Sequence, residues 1–168
     1  ATWKDGRARH RATLEDIANV AAACLDLYQA GGEVLWRSRA MQLADSALEH
    51  YASPDGGAFY YASAEADDLI VRSKNAHDGA VPGANSVLAG VLSRLGTLTG
   101  QDRYLQAAEG IFKEFAGPMS DRARGFPRMI REWEYHAGPT PVWVLLGADA
   151  DLRWRAWRAL RPGGQILD

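Results

Sequence analysis

At 168 residues, 47% hydrophobic and 24% charged, the chain has the composition of one folded domain of ordinary size, not of a disordered segment. Nineteen Lys and Arg against twenty-one Asp and Glu leave a net charge of -2, which argues against a nucleic-acid-binding protein, since such a surface needs a clustered basic excess. A single cysteine, Cys24, excludes an internal disulfide framework, a CxxC redox pair and a Cys-based zinc site. No apolar run nears the roughly 18 residues of a membrane span. The first dozen residues hold Lys4, Asp5, Arg7, Arg9 and Arg11 and no apolar stretch, so no signal peptide, no membrane contact and a cytoplasmic location are expected. Sixteen of the nineteen basic residues are Arg, a bias to which no functional weight is given, and a bacterial setting is expected.

In chain order, Thr13 stands three residues before Asp16, a spacing at which each side chain can serve a free amide of a helix's first turn. Leu14, Ile17, Ala18, Ala21, Leu25 and Tyr28 then recur at helical spacing, and Gly31-Gly32 predicts the stop. Trp36, Ala40, Leu43, Ala44, Ala47, Leu48 and Tyr51 form a second stripe that ends before Ser53-Pro54. A short turn between two amphipathic helices predicts an antiparallel pair over 13–52. Residues 57–72 read as a β-hairpin, with Phe59-Tyr60-Tyr61 as one strand, Leu69-Ile70-Val71 as the other and the acidic stretch 65–68 as its tip. A second helix pair is predicted over 84–116, with stripes from Val87 to Leu98 and from Tyr104 to Phe115, punctuated by Gly100 and by Gly117-Pro118. Met129, Ile130 and Trp133 predict one more short helix that closes a first unit, 1–138. Residues 139–168 read as a strand-helix-strand tail.

The two pairs are copies of one unit. Shifting the numbering by 68 lays Gly32 on Gly100, Trp36 on Tyr104, Ala40 on Ala108, Leu43 on Ile111 and Leu27 on Leu95. Each pair has a face it cannot bury alone, so stacking on neighbouring pairs is the physical expectation. The first helix also carries Val20, Cys24 and Leu27 outside its main stripe, as a helix covered on more than one side would. A large apolar surface over 14–28 is therefore expected, to be covered by a missing N-terminal half or a self-associated copy.

Polar residues concentrate at Arg72, Lys74, Asn75, His77, Asp78, Asn85 and Ser86, ahead of a helix whose first amides carry partial positive charge. Such a place can hold a sugar hydroxyl, a carboxylate or a phosphate. The same residues have a plainer reading: Asp78-Gly79 as a turn, Asn85 as an N-cap, Arg72 and Lys74 as a solvated strand edge. His10 and His77 lie at element boundaries, where acid–base work would need them. Glu15 and Asp16 are adjacent carboxylates, either part of an acid–base pair or charges complementing a helix N-terminus. Tyr60 or Tyr61 must face away from the buried side of the hairpin and offers a stacking surface for a sugar ring. No metal-ligand spacing, phosphate loop or dinucleotide fingerprint occurs, so neither metal nor cofactor is expected.

The stretch 12–51, then Asp55-Gly56-Gly57-Ala58-Phe59, then 72–100 resembles the non-thioredoxin part of the thioredoxin-domain-containing family related to spermatogenesis-associated protein 20. The matching positions are Leu14, Asp16, Ala18, Gly56, Gly57, Phe59, Arg72, Lys74, Asp78, Gly79, Ala80, Pro82, Asn85 and Ser86; Ile17, Ser73 and Gly83-Ala84 depart from the pattern. The resemblance implies a mainly α fold, a partial (α/α)6-toroid of the six-hairpin glycosidase type, with the hairpin as an insertion and the tail as a small α/β layer. It implies a pocket at the toroid mouth, where Asp78, His77, His10 and Asp16 would be the acid–base candidates. Arg72, Lys74, Asn85, Ser86, Tyr60 and Tyr61 would bind a small carbohydrate. The alternative is a non-catalytic scaffold or interaction module serving a redox partner.

Overall fold

The computed structural model describes residues 2–66 and 71–139. Thr13 is extended, its hydroxyl accepts the Asp16 N–H, and the Asp16 carboxylate accepts the Thr13 N–H at 2.9 Å. This reciprocal pair opens helix α1 (Leu14–Gly31), as the sequence spacing predicts. Gly32 closes it in left-handed backbone, φ 71, and α2 (Val34–His50) folds back antiparallel. Helix α3 (Ala84–Thr99) closes in the same way at Gly100, φ 66, before α4 (Asp102–Asp121). These two glycines hold equivalent places in the 68-residue repeat because a residue with a Cβ is strained in that conformation. After a 3-10 turn over Ala123–Gly125, α5 (Pro127–Ala137) ends the described chain.

Helices α1, α3 and α5 form a row with α3 in the middle, α2 packs on α1, and α4 packs on α3. The central place explains the sequence of α3, whose single charged side chain is Arg94 and which is buried almost all the way round. The core runs through Leu14, Leu25, Leu88, Leu92, Leu95, Tyr104, Ile111 and Met129. The Tyr104 hydroxyl donates to Asp45 at 2.7 Å and so ties α4 to α2; burial, then the Asp45 carboxylate, push the phenol up to about 12. Val20 and Leu27 on α1 are exposed, as are Val34 and Leu35 at the start of α2, whereas Cys24 is buried. Among the described residues no helix is long and apolar enough to cross a membrane.

Several expectations are corrected. Phe59-Tyr60-Tyr61 is not a strand. Its amides go to three different places, Asn85 Oδ1, the Tyr51 carbonyl and the Ser73 carbonyl, so no ladder can form. The opposing arm falls largely on residues 67–70, outside the described residues. A hairpin does occur where none was expected, between β1 (Thr2–Lys4) and β2 (Arg7–Arg9). Asp5 and Gly6 turn it with φ 54 and 73, the two positive values of the tight hairpin turn that an Asp-Gly pair favours. Helix α4 does not stop at Gly117-Pro118; it runs to Asp121, since a proline in the last turns loses only one backbone bond and keeps a helical φ. Asn85 is not an N-cap: Gly83 holds that place without a side-chain cap, and Asn85 sits inside the first turn. The expected strand-helix-strand tail, beyond residue 139, lies outside the described residues.

Candidate functional site

The crossing between the two pairs, residues 52–83, carries most of the predicted site, and its described residues, 52–66 and 71–83, have no helix or strand with which to satisfy their backbone polar groups. Side chains do that work instead. Asn85, buried in the first turn of α3, donates from Nδ2 to the Phe59 and Asn75 carbonyls, both at 2.9 Å, and accepts the Phe59 N–H at 2.9 Å. The next residue, Ser86, donates its hydroxyl to the Ala76 carbonyl at 3.1 Å. One helix turn thus holds both limbs of the crossing. Gly83 lies so close to the Ala76 backbone that a Cβ there would stand 2.7 Å from the Ala76 carbonyl carbon. Glycine at this position is therefore a packing requirement of this chain.

Asp78 joins three segments. One carboxylate oxygen accepts the Gly83 N–H at 2.8 Å; the other accepts the N–H groups of Arg128 at 2.8 Å and Met129 at 3.3 Å. Pro127 has no N–H and Phe126 has no capping oxygen, so the first turn of α5 depends on this distant carboxylate. The Asp78 N–H also donates to the Gly125 carbonyl at 2.8 Å. His77 beside it is exposed, its ring edge-on to Phe126 at 6.0 Å.

Arg72 donates to the Ala62 carbonyl from Nε at 3.0 Å and from Nη2 at 2.8 Å, and to the His50 carbonyl at the end of α2 at 3.3 Å. Its guanidinium lies 4.2 Å from the Tyr60 ring centre, and the Lys74 ammonium lies 5.3 Å from it. Lys74 pairs with Glu114 of α4 at 3.0 Å, and Glu114 also accepts the Ala58 N–H at 2.5 Å. Asp55 sits near this cation; the Ser53 hydroxyl, and to a lesser degree Lys74, hold its carboxyl below the usual range. Tyr61 faces α1 and donates its hydroxyl to Glu15 at 3.0 Å.

The structure therefore gathers Arg72, Lys74 and Tyr60 in one cluster, and Asn85, Ser86 and Asp78 in a second along the entry to α3. Asp16 stays in its capping box with Thr13, and His10 is exposed just after β2, in left-handed backbone. No hydrogen bond, ion pair or ring contact among the described residues joins His10, His77 and Asp78. No group of three or more His, Cys, Asp or Glu that could hold a metal occurs among them. Sequence reading missed Glu114, which nothing distinguishes from the other charges on the outer face of α4. It also missed the partnership of α3 with α5, where Ser93 Oγ lies 2.9 Å from His136 Nδ1. Ser93 is only 1% exposed, so this pair lacks the access that a serine nucleophile needs.

Burial holds the His136 imidazole below its ordinary value near 6.5. A histidine lowered by folding is protonated first in the unfolded chain. Its neutral form thus supports stability fully above about pH 6.5, and that support declines as pH falls through this value. The urea midpoint is expected to drop between pH 7.5 and 5.5, and the drop to be shallower in His136→Gln.

No protein-family profile matches the chain. Spermatogenesis-associated protein 20 of Mus musculus is 36% identical to it over 119 residues, 70% of this chain and 15% of the mouse protein. The Rattus norvegicus and Homo sapiens proteins of that name match over the same extent, at 36% and 34%. These proteins and this chain are homologues. The matched stretch spans 15% of the length of those relatives. They are mammalian, so the expected bacterial setting draws no support from them.

Proposed function

We propose that this chain is a helix-pair block of the family of spermatogenesis-associated protein 20, a portion of an α/α toroid, and that its 72–86 motif is a strap holding successive pairs together. One observation carries this reading: Arg72, Lys74, Asn75, Asp78, Asn85 and Ser86 each already bond a partner within the chain. A carbohydrate would have to displace, at Asp78, bonds to the amides of Gly83, Arg128 and Met129 at the starts of α3 and α5, and at Asn85 and Ser86 the bonds that hold the crossing. The row of α1, α3 and α5, backed by α2 and α4, supports the toroid-like stacking. This is the scaffold alternative of the sequence reading, preferred here over the carbohydrate-active one.

A thermal-shift panel of neutral and acidic monosaccharides tests it. No saturable rise in Tm is expected with any of them. A saturable rise that disappears in Lys74→Gln or Tyr60→Ala, with the variant still folded, would return the cluster around Tyr60 to the carbohydrate-binding reading.

A further inference from the structure

Val20, Ala23, Leu27 and Ala30 are all exposed and recur at spacings of three, four and three along α1. The repeat shows what such a stripe is for. Adding 68 lays them on Leu88, Val91, Leu95 and Leu98 of α3. Val20 and Leu27 are 53% and 45% exposed, but Leu88 and Leu95 are 0% exposed. At about 100° per residue, Leu88 and Leu95 lie about 200° around α3 from Gly90 and Ser93, which face Glu132 and His136 of α5. So the buried stripe of α3 is the flank turned away from α5, and on α1 the same flank has no cover. Equivalent positions also meet across neighbouring pairs, since Arg94 donates to Asp26, 68 residues earlier, at 3.0 Å.

We infer that the Val20–Ala23–Leu27–Ala30 stripe is a docking surface for one further antiparallel helix pair of this same repeat, with a basic residue at the rung of Asp26 and Arg94. The interface is the α1–α3 packing continued by one unit. A second copy of α1 is a poor occupant, because α1 carries Glu15, Asp16 and Asp26 and no Lys or Arg, so symmetric pairing would oppose like charges. This inference names the partner of the helix-pair block proposed above and rests on that reading. Sugar binding by the Tyr60 cluster would leave its test unchanged.

The test lengthens the intact chain at its N-terminus with a copy of its own residues 13–83 carrying Asp26→Arg. The expected result is a Tm at least about 5 °C higher and about tenfold or greater slowing of amide exchange on the outward face of α1. Leu27→Glu in the original α1 should abolish both gains while leaving the Tm of the unextended chain within about 2 °C, because that side chain is exposed there. An added pair that leaves α1 exchange unchanged would overturn the inference. So would a Leu27-dependent dimer of the unextended chain in sedimentation equilibrium, which would make the occupant a second copy.

Discussion

Asp78→Ala will destabilise the chain by about 3 kcal/mol, since it removes the acceptor from three backbone N–H groups at about 1 kcal/mol or more each. For a chain of this size that corresponds to a fall in Tm of roughly 6–12 °C. Two of the three amides, Arg128 and Met129, form the first turn of α5, which has no other side-chain cap. The third, Gly83, is the N-cap residue of α3. The loss should therefore start at the α5 end, with exchange over 127–137 rising before that of α1. Asp78→Asn keeps an acceptor oxygen but gives up its charge, so about half the loss is expected. Equal effects of both substitutions on urea unfolding, or a loss under 1 kcal/mol for alanine, would mean that water replaces the carboxylate and that the strap is not what holds α5.

The helices were legible because the signals that start and stop them are local. Thr13 with Asp16, Gly32 and Gly100 act within four residues of themselves, and apolar spacing decides the rest. The repeat was legible for the same reason. The crossing was not, because its backbone is satisfied from far away: Asn85 reaches Phe59, Ser86 reaches Ala76, and Glu114 reaches Ala58. An aromatic run such as Phe59-Tyr60-Tyr61 carries strand propensity, but propensity yields when no partner strand is in register. The residues gathered for a site bond groups of the chain itself, most of them in the crossing. Their spacing could not show whether their polar atoms would face a ligand or the chain's own carbonyls, since both need the same side chains. The α3–α5 contact had no local signal, for Gly90 beside Glu132 is meaningful only once the helices cross.

Asn85 carries the last prediction, and it concerns the crossing more than the helices. Its amide acts as a short piece of backbone, accepting from and donating to the same residue, Phe59, while its second N–H takes the Asn75 carbonyl. Asn85→Leu keeps the approximate volume but leaves the two buried Phe59 groups unpaired, at roughly 1–3 kcal/mol each before relaxation, and frees the part-buried Asn75 carbonyl, so a net loss of about 3 kcal/mol is expected. Asn85→Asp should be worse, because the carboxylate can still accept from the Phe59 N–H but faces the Phe59 and Asn75 carbonyls without a proton to give. That variant should recover partly at acidic pH, as protonation restores one donor, whereas the leucine variant should not. In both, proteases should cut within 53–83 at least about tenfold faster, before the helices unfold, because the two limbs lose the side chain that joins them. Cleavage that merely tracks global unfolding would show that the crossing is held by its packing on α3 and α4, and that the amide of Asn85 is incidental to it.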